Sequence, residues 1–366
     1  MTGLHWDQIR AVIRLEMRKT FFAKRGLWVY LLALAPLVLF LGHAVAMRFV
    51  NLSRSHLAAR NEKPLSSTDF AAIQEGMSRD EVIARLGRAP ISYEHTRHSR
   101  NERDEREEWQ EQIDRYSDGQ SDYRFTYRDG KLAAMDVHGG CDFGRDSIIF
   151  ATTFQLFYLR LAVFFGCLGI FMNLFRGELL DKSLHFYFLA PIRREVLLAG
   201  KYLAGLIASV VIFTTSTALQ LFVMGWHLDS NSVSNFLYHN HGVAHIAAYL
   251  GVTVLACVGY GSVFLAAGLL FRNPIFPAAV ILIWESITPF LPALLKKFSV
   301  IYYLTSLCPL SIPVDSGAPS LFTMLVSNPD PIAAPAAVLG LVVLAVLILF
   351  LATRSVRHLE INYTTE

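Results

Sequence analysis

Long apolar runs separated by short polar connections dominate this chain. Six runs are long enough to cross a bilayer: Leu27 to Phe49, about Ile148 to Phe175, Tyr202 to Trp226, Gly242 to Phe271, Ile275 to Leu295, and Ala333 to Leu351. A spanning helix needs about 20 mostly apolar residues. An isolated apolar segment in lipid must satisfy its own backbone hydrogen bonds, so each run predicts a helix. The short alternating segments of a β-barrel do not occur.

Between the first two runs the pattern changes. Ser78-x-x-Glu81 is a capping box, followed by Val82, Ile83 and Leu86 at helical spacing, and Gly87 and Pro90 end that helix. Thr68 to Gln74 is a second short helix candidate. Tyr123, Phe125 and Tyr127 alternate with Arg124, Thr126 and Arg128; Asp129-Gly130 then turns into Leu132 to Val137, a β-hairpin signal. His95 to Asp114 is almost all charge and reads as a solvated helix or loop. The expected architecture is thus an α-helical polytopic membrane protein. It has six transmembrane helices, an N-terminal interfacial helix and an inserted small α+β extracytoplasmic domain.

Composition agrees. Hydrophobic residues make up 53% and charged residues 17% of 366, against about 25% charged in soluble chains. Residues 48–147 hold 16 of the 33 Lys+Arg and 19 of the 30 Asp+Glu, so the remaining chain is charge-poor. Disorder, a secreted disulfide scaffold and a cytosolic enzyme fit poorly. No basic stripe supports nucleic-acid binding. Fourteen Lys and Arg fall on one side if the six runs alternate, and only Lys296 and Lys297 fall in the short loops opposite. The positive-inside rule then puts both termini in the cytoplasm and the insert outside. The expected divisions are 1–26 interfacial helix, 27–49 first span, 50–147 external domain, 148–353 five further spans, and 354–366 cytoplasmic tail. The basic leader resembles a signal peptide, but its apolar run is too long for one, and no A-x-A site follows convincingly.

Two cytoplasmic elements carry more than charge. Trp6, Ile9, Ile13 and Met17 recur at steps of three and four, with Val12 beside them and Arg10, Arg14 and Arg18 on another face. This predicts an amphipathic helix in the interface plane. The loop after the second run pairs Glu178 with Lys182 at i,i+4. Ala190-Pro191 breaks that helix. A second short helix is expected after Pro191, with Glu195 in its early turns.

That loop resembles the membrane subunit of type-2 ATP-binding-cassette (ABC) exporters. The matching residues are Arg176, Glu178, Asp181, Lys182, Ser183, Leu184, Leu189, Pro191, Ile192, Arg194, Leu197, Leu198, Gly200 and Lys201. Ile283-Trp284-Glu285, Leu291-Pro292 and Ser299 to Leu304 are similar to a subgroup of such permeases. The resemblance covers the chain outside the insert. It implies a permease subunit in a bacterial inner membrane, driven by a separate ATPase subunit that binds ATP and Mg. It also implies a second permease subunit, identical or paralogous. Glu178, Asp181, Lys182, Pro191, Arg193, Arg194 and Glu195 would form the coupling segment, at about 176–200. This chain itself would carry no cofactor and no enzyme activity.

The insert resembles small outer-membrane lipoproteins of the SmpA/OmlA type. The resemblance runs from Phe70 through Ile73, Gly76-Met77-Ser78, Glu81-Val82 and Leu86-Gly87 to Pro90, and through Tyr127 to Leu132. Residues 66–140 would then contact a periplasmic protein partner. The runner-up function is a non-transporting scaffold whose external domain recruits an envelope assembly factor.

Motor and protease chemistry are not legible. No phosphate-binding G-x-x-x-x-G-K-[ST] loop or H-E-x-x-H occurs. His245 and Ser262 lie about 25 Å apart along one helix, too far for a Ser–His pair, and Gly259, Gly261 and Ser262 read as a close-packing face. A Cys141–Cys308 disulfide is chemically allowed outside, but nothing fixes the distance. Arg160 and Glu285 lie deepest in apolar sequence, near mid-membrane, where a charge must face the bundle or a wet cavity. A direct pair is one expectation. Separate roles are the other, with Glu285 protonated or capping a break near Pro289.

Overall fold

The computed structural model describes residues 2–22, 27–59, 65, 69–70, 72–87, 89–100, 106–117, 121–139, 143–180, 194–226, 228, 230–239, 241–271, 275–310 and 332–357. Contacts divide the chain into two units, one comprising 41–146 with 226–232, the other everything else.

In the membrane unit, helix α1 spans Thr2–Phe22 and α2 begins at Leu27 and runs to Ala59. The second apolar run is helical throughout. It comprises α4 (Phe143–Thr153), a π-helical segment (Phe154–Val163) and α5 (Phe164–Leu180). Helix α6 spans Arg194–Trp226, α7 Ser230–His239 and α8 Gly242–Leu270. The last long helix, α12, spans Ala334–Arg357. Five of these stretches are long and apolar enough to cross a membrane, which makes the chain a multi-pass membrane protein.

The expected span from Ile275 to Leu295 is broken. Helix α9 (Ile275–Ile287) has 13 residues, about 20 Å of rise. It ends in a 3-10 turn, Thr288–Phe290, followed by α10 (Ala293–Lys296) and α11 (Val300–Leu307). Pro289 and Pro292 are the reason, since neither supplies an N–H to continue the ladder. The short helix expected after Pro191 is likewise not separate from the next span. Arg194 and Glu195 open α6 itself, which continues unbroken through Gly200-Lys201.

Glycines set the packing. A Cβ on Gly259 would lie 2.8 Å from Val300, and one on Gly261 2.6 Å from Phe171. Those two positions let α8 meet α11 and α5, as the small-residue face predicts. Ser262 donates to the Gly259 carbonyl at 2.7 Å, a local helix bond and no nucleophile geometry.

In the other unit, α3 (Arg79–Leu86) starts at Ser78 with both halves of the capping box formed and stops at Gly87 in the left-handed region. Four antiparallel strands pair in sequence order: β1 (Ile91–Arg100), β2 (Arg106–Ser117), β3 (Ser121–Arg128) and β4 (Lys131–Gly139). Asp129 and Gly130, at φ 52° and 76°, turn β3 into β4 as expected. In the charged stretch from His95 to Asp114 the structure corrects the sequence expectation: residues 95–100 belong to β1 and 106–114 to β2. Register sets His95 opposite Glu111 and His98 opposite Glu108. From Glu111 onward β2 also pairs with β3, so the ladder continues into the rest of the sheet, although the composition alone reads as a solvated helix or loop.

This unit has its own core, in which Phe70, Ile73, Val82 and Leu86 meet Tyr116, Tyr123, Phe125, Tyr127 and Leu132. The Phe70 and Tyr123 rings stack with centroids 3.6 Å apart. Asp114, buried in the sheet, receives Arg79 Nε at 2.8 Å from the first residue of α3. The start of Thr68–Gln74 lies outside the described residues.

Candidate functional site

Two buried polar constellations in the membrane unit coincide with the sequence motifs. The first lies where α6 begins. Lys201 Nζ donates to Glu16 Oε1 at 2.8 Å and to the Leu174 carbonyl at 2.7 Å, and both charged side chains are buried. Beside it Gly200 gives α1 room: a Cβ there would lie 2.9 Å from Val12 Cγ1. Leu174 is on α5, which precedes residues 181–193, and Lys201 is on α6, which follows them. One side chain on α6 therefore joins α1 and α5. A charge in such a place needs both an opposite charge and a second acceptor, and Lys201 has both.

The face of α1 that docks on the bundle is distinct from the expected interfacial stripe. It is centred on Val12 and Glu16, while Trp6 and Leu15 are exposed. Glu16 recurs at i+4 from Val12, so an acidic residue in line with an apolar one was the available signal.

The second constellation is the break after α9. The Glu285 carboxylate accepts from Ser299 Oγ at 2.7 Å, the Val300 N–H at 3.0 Å and the Ile301 N–H at 2.9 Å. Thr288 Oγ1 lies 2.9 Å from Ser299 Oγ. Glu285 therefore caps α11 from a different helix, placing a carboxylate on two orphan N–H groups and on the positive end of the helix dipole. Arg160 lies in the π-helical segment Phe154–Val163. Of the two sequence expectations for Glu285, the cap near Pro289 is what its hydrogen bonds form.

The membrane unit also contains a hydrogen-bonded core that sequence reasoning missed. Tyr158 donates to the Phe213 carbonyl at 2.6 Å, Ser216 to the Ala33 carbonyl, and Thr217 Oγ1 lies 3.0 Å from Thr253 Oγ1. Pro36 lacks an N–H, so the Leu32 carbonyl, next to Ala33, loses its bond in the α2 ladder. Hydroxyls inside apolar runs carry no period of their own, so only the packing reveals them.

Among the proposed coupling residues, Asp181, Lys182, Pro191 and Arg193 lie outside the described residues, as does Cys141. Glu178 falls in α5, Arg194 opens α6, and Glu195 is exposed in its first turn. Cys308 donates its thiol to the Leu304 carbonyl. Among the described residues no group of three or more His, Cys, Asp or Glu is placed to hold a metal ion. Compared with protein-family models, curated proteins and solved structures, the chain matches none.

Proposed function

We propose that the chain is the membrane-spanning permease subunit of an ABC exporter, working with a separate ATPase subunit and a second permease subunit in a bacterial inner membrane. Five long helices support a multi-pass bundle; the reading takes the broken segment 275–307 as a sixth crossing, with both termini on the cytoplasmic side. The observation that carries the reading is the Lys201–Glu16 pair. The last residues of the loop motif, Gly200 and Lys201, are the ones that fasten α1 and α5 to α6. A push on the loop at 176–200 is then transmitted to three helices at once. The residues that receive the push are Glu178, Asp181, Lys182, Pro191, Arg193, Arg194 and Glu195. The sheet domain, with its own core, supports a separate partner-binding role on the outer side.

Purifying the tagged chain from its native membrane tests this. An ATPase co-purifies if the reading holds, and Arg194→Glu weakens that association and abolishes transport while the chain still accumulates. Recovery of an envelope protein with no ATPase would establish the scaffold reading instead.

A further inference from the structure

The seam between α6 and α8 contains buried polar atoms without hydrogen-bond partners among the described residues. The two helices run antiparallel, since Tyr202 bonds the Val258 carbonyl and Thr217 meets Thr253. From the Thr217–Thr253 contact, Gln220 is three residues along α6 and Tyr249 is four residues back along α8. These steps rise about 4.5 and 6 Å in the same spatial direction. At about 100° per residue they rotate by −60° and +40°, which on facing helices turns both side chains to the same side of the seam. Tyr249 there packs edge-on to Phe150 and Phe154, with centroids 5.0 and 4.9 Å away.

Gln220 and Tyr249 are both more than nine-tenths buried, and Gln220 Oε1 and Tyr249 Oη have no hydrogen-bond partner among the described residues. The amide orientation is fixed by its neighbour. Ser216 spends its only proton on the Ala33 carbonyl, so Ser216 Oγ must accept from Gln220 Nε2, at 2.9 Å, which turns Oε1 outward. One turn beyond Tyr249, His245 Nδ1 is a third buried atom without a hydrogen-bond partner among the described residues. Leaving such atoms bare in a membrane interior is costly.

We propose that Gln220 Oε1 and Tyr249 Oη hold a neutral hydroxyl group on this side of the seam. An amide oxygen accepts only, so the guest must donate, which excludes ethers and ketones. Tyr249 Oη donates or accepts, so one O–H group satisfies both. The guest is uncharged, because neither α6 beyond Tyr202 nor α8 contains a Lys, Arg, Asp or Glu. Two sources supply this chemistry: bound water, and a glycerol or sugar hydroxyl of an amphiphile headgroup. The inference rests on the α6–α8 geometry and is independent of the transport reading.

The test is a double-mutant cycle on the full chain, purified in lauryldimethylamine oxide, a detergent without hydroxyl groups, and read by thermal unfolding. Tyr249→Phe removes one oxygen and no packing, and Gln220→Met keeps the side-chain length. Each single variant should lower Tm by roughly 2–4 °C, and the double should fall no further than the worse single, since both atoms bind one guest. If Tyr249→Phe leaves Tm unchanged or raises it, the proposal is overturned, because deleting an unbonded buried hydroxyl relieves desolvation. This variant decides the matter alone if Gln220→Met does not accumulate. Adding monooleoylglycerol identifies the source. A Tm rise in wild type that the double variant lacks assigns a headgroup hydroxyl; no rise, or an equal rise in both, assigns water.

Discussion

Lys201 and Glu16, separated by 185 positions in sequence, form a buried ion pair with Nζ and Oε1 2.8 Å apart. Its main consequence is positional. Replacing a buried pair by apolar groups of similar volume is often neutral, whereas removing one partner strands a charge. The pair therefore specifies where α1 docks more than how stable the bundle is.

Glu16→Gln or Lys201→Met alone should cost about 3–5 kcal/mol, seen as a lower melting temperature and reduced accumulation. The double variant Glu16→Leu with Lys201→Met should recover most of that loss. Gly200→Leu, which drives a side chain into Val12, should release α1 although both charged residues are unchanged, measured as faster proteolysis within residues 2–22. A double variant as unstable as Lys201→Met would show that the two side chains act separately.

The Glu285 cap makes a prediction that a simple ion pair does not. Glu285→Gln keeps one acceptor oxygen but loses the charge facing the Val300 and Ile301 N–H groups, and should cost about 1–3 kcal/mol. A charge swap, Arg160→Glu with Glu285→Arg, should do no better than the worse single variant, because an arginine at 285 presents donors to donors. Substantial recovery of folding yield by the swap would mean that the Arg160–Glu285 attraction outweighs the cap.

In the sheet domain, burial and then the Asp114 carboxylate push the Tyr127 phenol above its ordinary value of 10.0. The folded state thus keeps this proton to higher pH than the unfolded state does. The stability tied to it is complete below pH ~10 and is lost as pH rises above that value. Tyr127→Phe should flatten this alkaline loss in melts between pH ~9 and ~11. It should also be neutral or stabilising at neutral pH, since the hydroxyl is buried without a partner among the described residues.

Topology is tested by labelling. In a background with the four native cysteines replaced, a cysteine at Asn101 should react with an impermeant thiol reagent in intact spheroplasts, and one at Ser355 should not. Equal labelling would put the sheet domain and the C-terminal end of α12 on one side.

Local order is what the amino-acid sequence determined by itself. The five long apolar helices, the Ser78 capping box and the hairpin through Asp129-Gly130 each rest on neighbours within a few residues, where periodicity and turn chemistry act directly. The break at Pro289 and Pro292 was written just as locally, but the apolar run around it masked it. Tertiary structure alone decided which polar groups meet. Glu16 could have faced water, Glu285 could have paired with Arg160 as its sole partner, and the charges of β1 and β2 could have stayed in coil. The outcome depended on an ammonium, two helix N–H groups and a third strand arriving from distant parts of the chain. A buried charge has no intrinsic preference for one partner over another. Its place follows from whichever desolvated group lies within about 3 Å once the helices have packed, and no pattern along the chain encodes that distance.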